Sequence, residues 1–128
     1  EQPASKETID NGHHFFQMNG PEVYKTAIKV VPKCISEILS KNKRHVDEVK
    51  FLLPHQPSIK ILQEVARRVD MPFEKVKTNM DRYANTSGGT IPIILDETLR
   101  KNELEKGDLL LFAAVGAGWT WGTALYKW

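Results

Sequence analysis

Apolar positions recur with a helical period after Pro21. Ala27, Val30, Val31, Cys34, Ile35, Ile38 and Leu39 share one face of a helix. Pro21 falls in its first turn, where a missing N–H costs little. Pro32 lies inside the pattern and predicts a kink or break. A second helical stripe, Leu62, Val65, Ala66 and Val69, follows Ser58 as a candidate cap and stops at Met71-Pro72. A third helix is entered at Thr86–Gly89 and carries Ile94, Leu95 and Leu99. Between these stripes lie short apolar runs that read as strands: His14–Met18, Val49–Leu53, Val76–Met80, Leu109–Val115 and Thr120–Tyr126. Strands alternating with helices predict a layered α/β domain with a mainly parallel sheet. The last two strands, joined by a short Gly-rich turn, are expected to be antiparallel.

Composition narrows the class of protein. With 128 residues, the chain has the size of one domain. Its 41% hydrophobic and 27% charged residues exclude a disordered or collagen-like chain. Eighteen Lys and Arg stand against 16 Asp and Glu, a net charge of only +2, which argues against a nucleic-acid binder. No apolar run reaches the roughly 20 residues that cross a bilayer, so no membrane role is expected. The single cysteine, Cys34, cannot form an internal disulfide, which suits a reducing, cytoplasmic setting. His13 and His14 are adjacent rather than at ligand spacing, and no metal site is expected. Residues 1–14 read as an irregular lead-in and 15–128 as the folded domain. A chain that opens on Glu1, with no signal segment behind it, reads as a processed product or part of something longer.

Three segments carry candidate chemistry. Pro54-His55-Gln56 directly follows the Val49–Leu53 strand, and ligands of open α/β sheets gather beyond the carboxyl ends of strands. An imidazole there can donate to developing charge or accept a proton; a loop histidine with no chemical role has the same position. Tyr83 to Gly89 (YANTSGG) offers an asparagine amide and two glycines that permit close backbone approach, or simply a cap and turn. It lacks the spacing of a phosphate loop. Val115 to Gly122 (VGAGWTWG) is richer in glycine than an ordinary hairpin needs and could aim a backbone N–H into a cleft. Tight turning with aromatic packing is the alternative. Cys34, on the apolar face of the first helix, reads as core, because a nucleophilic thiolate needs exposure and positive surroundings.

In this order the segments go beyond composition. Met18-Asn19-Gly20, Pro54-His55-Gln56, Asp81-Arg82-Tyr83-Ala84-Asn85-Thr86-Ser87, Ile91-Pro92, Lys106-Gly107-Asp108 and Thr120-Trp121-Gly122 together resemble the C-terminal half of the β-ketoacyl-acyl-carrier-protein synthase III family, from about Phe15 to Trp128. The resemblance implies one half of a thiolase-like fold, a five-stranded, mixed, mainly parallel sheet layered with helices, in an enzyme that works as a homodimer. It implies a Cys-His-Asn triad, with His55 and Asn85 as its histidine and asparagine, and Gly116-Ala117-Gly118 as the loop supplying a backbone donor to the acyl-thioester oxyanion. The nucleophilic cysteine of the family belongs to the N-terminal half and has no counterpart here. The implied activity is decarboxylative condensation of an acyl-CoA primer with malonyl-carrier protein, which starts fatty-acid biosynthesis. No cofactor is implied beyond the coenzyme A and phosphopantetheine thioesters that are its substrates. Gln56, Ser58, Lys60 and Ser87 fall where the family meets substrate or acyl carrier protein. Departures are Pro57-Ser58 in place of Ala-Asn, Ala84 and Ala117 in place of glycines, and Lys60 where an arginine often stands. Two other readings stay open: a non-catalytic partner half, and an acyltransferase or hydrolase of the same fold.

Overall fold

A computed structural model describes residues 3–128. The elements run α1 (Lys6–Asp10), α2 (Gly20–Lys41), β1 (Val49–Pro54), α3 (Ile59–Arg68), α4 (Met80–Tyr83), α5 (Thr90–Arg100), β2 (Leu109–Gly116) and β3 (Thr120–Lys127). Short 3₁₀ turns precede β1, α4 and α5. Among the described residues the sheet has three strands in the order β1-β2-β3, not the five that the resemblance implies. β1 and β2 are parallel, in register at Leu52↔Leu111, while β2 and β3 are antiparallel, at Leu111↔Leu125.

The two expected strands missing from the sheet have separate causes. Val76 makes a single parallel bridge to Leu52, and the Lys77 amide donates to the Leu52 carbonyl at 2.9 Å. Pairing stops there, because the chain turns at once into α4. The segment around Phe15 and Phe16 finds no strand to pair with among the described residues, and both phenylalanines are exposed. Alternation of apolar residues makes a strand only where a sheet edge is within reach. Of the expected lead-in, residues 1 and 2 lie outside the described residues, and Lys6–Asp10 forms a helix capped by Ser5.

Helix α2 is continuous over 22 residues and passes through Pro32 without a break. A proline inside a helix removes one hydrogen bond and costs about 3 kcal/mol. The same face buries Ala27, Val31, Ile35 and Leu39. Full burial of an aliphatic side chain contributes roughly 1.5–3 kcal/mol, so three such residues outweigh the proline.

The sheet separates two cores. Helices α2 and α3 cover one face, where Leu52, Leu111 and Ala113 meet Val31, Ile35, Leu62 and Val65. Helix α5 covers the other, where Ile94 packs on Leu53 and Leu110. Strand β1 contributes to both by alternation, reset by a register shift between Val49 and Phe51 that turns Val49 to the first core and Phe51 to the second. On β3, Trp121 and Tyr126 stay exposed, as does the terminal Trp128.

Candidate active site

The polar segments converge where parallel strands β1 and β2 end. Pro54 closes β1 opposite Ala113, and the His55 amide extends the pairing by donating to the Ala113 carbonyl at 2.8 Å. β2 continues three residues further to Gly116, which carries the Gly116–Gly118 loop to the same end. Ser58 and Lys60 lie there too, at the start of α3, which leaves the carboxyl end of β1. Ser58 occupies the N-cap position, yet its side chain makes no capping bond.

The His55 ring is held from across the sequence. Its Nδ1 lies 2.8 Å from Thr90 Oγ1, at the first turn of α5. Thr90 is buried, and its hydroxyl donates to the Ser87 carbonyl at 2.9 Å. The Ser87 amide in turn donates to Asn85 Oδ1 at 2.9 Å. One chain of hydrogen bonds thus joins the two residues of the expected pair. Occupying Oδ1 leaves the Asn85 amide nitrogen, on an exposed side chain, to serve as a donor. Burial pulls the His55 imidazole below the ordinary histidine range, opposed by the nearby Ser87 carbonyl, which favours the charged form.

Gln56, expected to meet substrate or carrier protein, turns inward to the loop backbone. It is fully buried, and backbone takes up its amide: Nε2 donates to the Pro54 and Lys77 carbonyls, both at 3.1 Å, while Oε1 accepts from the Asn79 amide. A side chain so placed anchors the loop that carries His55. Asn79, also buried, donates onward to Glu97 Oε2 at 2.8 Å, and Arg82 pairs with the same carboxylate. Burial alone would raise the Glu97 pKa; the bonds from Arg82 and Asn79 outweigh it and hold it below the ordinary value. This network ties the loops after β1 and before α4 to α5. Neither Asn79 nor Glu97 is legible as a site residue in the sequence, because their partners lie far along the chain.

The two glycines before α5 are not there for close approach within this chain. A Cβ at Gly88 would meet nothing within 4 Å, and one at Gly89 would make ordinary contact with Ile93 at 3.6 Å. Cys34 is half-buried on α2; Thr123 of β3 donates to its carbonyl at 3.4 Å. Burial pushes its thiol pKa up, and Glu37 adds to that. Expected in the core, Cys34 instead lies at its margin, in neither of the two core clusters. Two open concavities, of about 570 and 500 Å³, lie along α1 and between α2 and Val69; neither contains His55 or Asn85. Among the described residues no group of three or more His, Cys, Asp or Glu could hold a metal ion, and no helix is long and apolar enough to cross a membrane.

Ala84, just before Asn85, has φ +53° and ψ −148°. That region is essentially open to glycine alone, and a side chain there costs about 1–3 kcal/mol. Ala84→Gly is expected to raise stability by about 1 kcal/mol, after the greater chain entropy of an unfolded glycine takes back part of the gain. Urea unfolding of both chains checks it. An unchanged or lower midpoint would mean that the backbone is not strained at Ala84.

The chain is a layered α/β domain of thiolase-like fold, as the solved structures similar to it show. The chain belongs to the family described as 3-oxoacyl-[acyl-carrier-protein (ACP)] synthase III C terminal, which matches residues 39–128. It is 41% identical over 126 residues to a β-ketoacyl-[acyl-carrier-protein] synthase III of Porphyromonas gingivalis, covering 98% of this chain and 37% of that one. Among solved structures, it is similar to the 3-oxoacyl-[acyl-carrier-protein] synthase III of Aquifex aeolicus, with a TM-score of 0.88 at 34% identity, over 92% of this chain and 38% of that one. The corresponding enzyme of Pseudomonas aeruginosa gives 0.89 at 30% identity, over 98% and 40%. The chain therefore spans well under half the length of these relatives.

Proposed function

We propose that the chain is the C-terminal catalytic part of a decarboxylating condensing enzyme. It completes its site with an N-terminal part that carries the nucleophilic cysteine. In this reading an acyl group passes from coenzyme A to that cysteine, and malonyl-carrier protein then enters. The bond from the malonyl methylene carbon to its carboxylate breaks, carbon dioxide leaves, and the electron pair becomes an enolate with its charge on the thioester oxygen. His55 and Asn85 donate to that oxygen. The enolate carbon attacks the acyl carbonyl, backbone N–H groups of Gly116–Gly118 hold the resulting oxyanion, and the cysteine thiolate departs. Lys60, Ser58 and Ser87, at the same end of the domain, face the carrier protein or its pantetheine arm. No cofactor takes part.

The observation that carries this reading is the hydrogen-bond chain from Asn85 through Ser87 and Thr90 to His55. A non-catalytic partner half has no need to pin a histidine and an asparagine to one another at a strand end. The exposed Trp121, Tyr126 and Trp128 and the uncrowded Gly88 support a further packing surface, suited to the N-terminal part and to a second copy in a homodimer. The test joins this chain to the N-terminal part of a relative and follows carbon dioxide release from malonyl-carrier protein in the presence of acyl-CoA. Turnover is expected. A joined protein that folds and becomes acylated, yet releases no carbon dioxide, would overturn the proposal.

A further inference from the structure

Thr90 has one hydroxyl proton and two neighbours, the Ser87 carbonyl at 2.9 Å and His55 Nδ1 at 2.8 Å. The carbonyl is an acceptor only, so the proton points to it; were it turned to Nδ1, two oxygen lone-pair sets would face each other at hydrogen-bond distance. The hydroxyl therefore meets Nδ1 with a lone pair, and Nδ1 must carry a proton. Thr90 is buried, and among the described residues its hydroxyl has no third partner that would let it reorient. No hydrogen bond to the other ring nitrogen, Nε2, is found among the described residues, and no buried side-chain nitrogen among them lacks a partner.

We propose that Thr90 is a positioning residue that fixes the imidazole of His55 with its neutral-state proton on Nδ1 and Nε2 presented to the site. The consequence for chemistry, which rests on the donor role proposed for His55, is specific. With Nδ1 already protonated, Nε2 can donate to an enolate oxygen only when the ring is an imidazolium. The proton must then be on Nε2 before carbon dioxide leaves. Burial works against that, and the Thr90 hydroxyl at Nδ1 and the Ser87 carbonyl near the ring work for it, because acceptors bind the charged ring more strongly than the neutral one. No ionisable side chain shares in this balance. The charged groups of the surrounding elements are engaged elsewhere: Lys77 with Glu103, Glu97 with Arg82, Arg100 with Asp96 and Lys50 with Asp108. Decarboxylation by the complete protein should accordingly fall as pH rises through the His55 pKa, which lies below the usual histidine value.

Nitrogen-15 NMR of the 128-residue chain reads the tautomer and the pKa directly, without any activity. The expected result is a neutral ring protonated on Nδ1. Thr90→Val, close in shape but without the hydroxyl, is expected to give a mixture of tautomers and to lower the His55 pKa by about half to one pH unit. Thr90→Ser is expected to restore both. A wild-type ring protonated on Nε2 would overturn the proposal even if the valine variant failed to fold; so would a folded valine variant with tautomer and pKa unchanged. In the joined protein, Thr90→Val should lower the decarboxylation rate about 5–10-fold and move its pH profile to the acid side, with the KM for malonyl-carrier protein unaltered. If the NMR results hold while His55→Ala leaves decarboxylation intact, the positioning stands and the catalytic reading of His55 fails. The two outcomes are thereby separate.

Discussion

His55→Ala and Asn85→Ala, each made in the complete protein, are expected to slow decarboxylation of malonyl-carrier protein by about 10²–10³-fold and to leave acyl transfer from coenzyme A to the cysteine nearly unchanged. The asymmetry follows from where charge appears. The thioester oxygen gains its negative charge only as the carbon–carbon bond breaks, and a preorganised donor aimed at it contributes a few kcal/mol to that step alone. Both donors are preorganised here, Asn85 by the bond from the Ser87 amide to its Oδ1 and His55 by Thr90. Acyl-enzyme formation, followed by mass, and carbon dioxide release, followed separately, measure the two half-reactions. Equal loss in both would show that the pair acts on the nucleophile instead. The double variant should cost less than the product of the singles, because one hydrogen-bond chain holds both residues.

The 128-residue chain by itself is expected to show no condensation above background, and Cys34→Ser to change nothing in the joined protein. Cys34 is the only thiol, and its setting is the reverse of an activated one. Burial raises its pKa, so the nucleophilic thiolate is scarce near neutral pH, and its backbone is bonded into the α2–β3 contact. Product assays of the isolated chain with acyl-CoA and malonyl-carrier protein decide the matter. Turnover that Cys34→Ser abolishes would make this helix cysteine the nucleophile and would overturn both its reading as core and the need for an N-terminal part.

The positions of His55 and Asn85 were unequally legible. An apolar run ending in Pro54 puts the next residue at a strand end whatever the rest of the chain does, so His55 could be placed from its neighbours. Asn85 sits between two turns, where local pattern describes a cap as well as a donor; its value came from the resemblance and from its link to His55 in the fold. Gln56, adjacent to His55, carries no local sign that its side chain is buried and bonded to loop backbone. Whether a glutamine faces solvent or takes up loop carbonyls depends on where Lys77 and Asn79 come to rest, 21 and 23 residues away.

What the sequence alone determined was local and periodic. The helical stripe of α2, the strands β1, β2 and β3 and the antiparallel return of β3 all follow from spacing of apolar residues and from turn chemistry within a few positions. The tertiary structure decided the rest. It let α2 run through Pro32, because the burial of a whole face exceeds one lost hydrogen bond. It left Val76 a lone bridge and His14–Met18 without a strand partner among the described residues, because a strand exists only by pairing. It also brought Thr90 to His55 across 35 residues. A hydroxyl that far along the chain carries no local mark of what it does, because its role consists of a distance and a lone pair, and both exist only after the chain has folded.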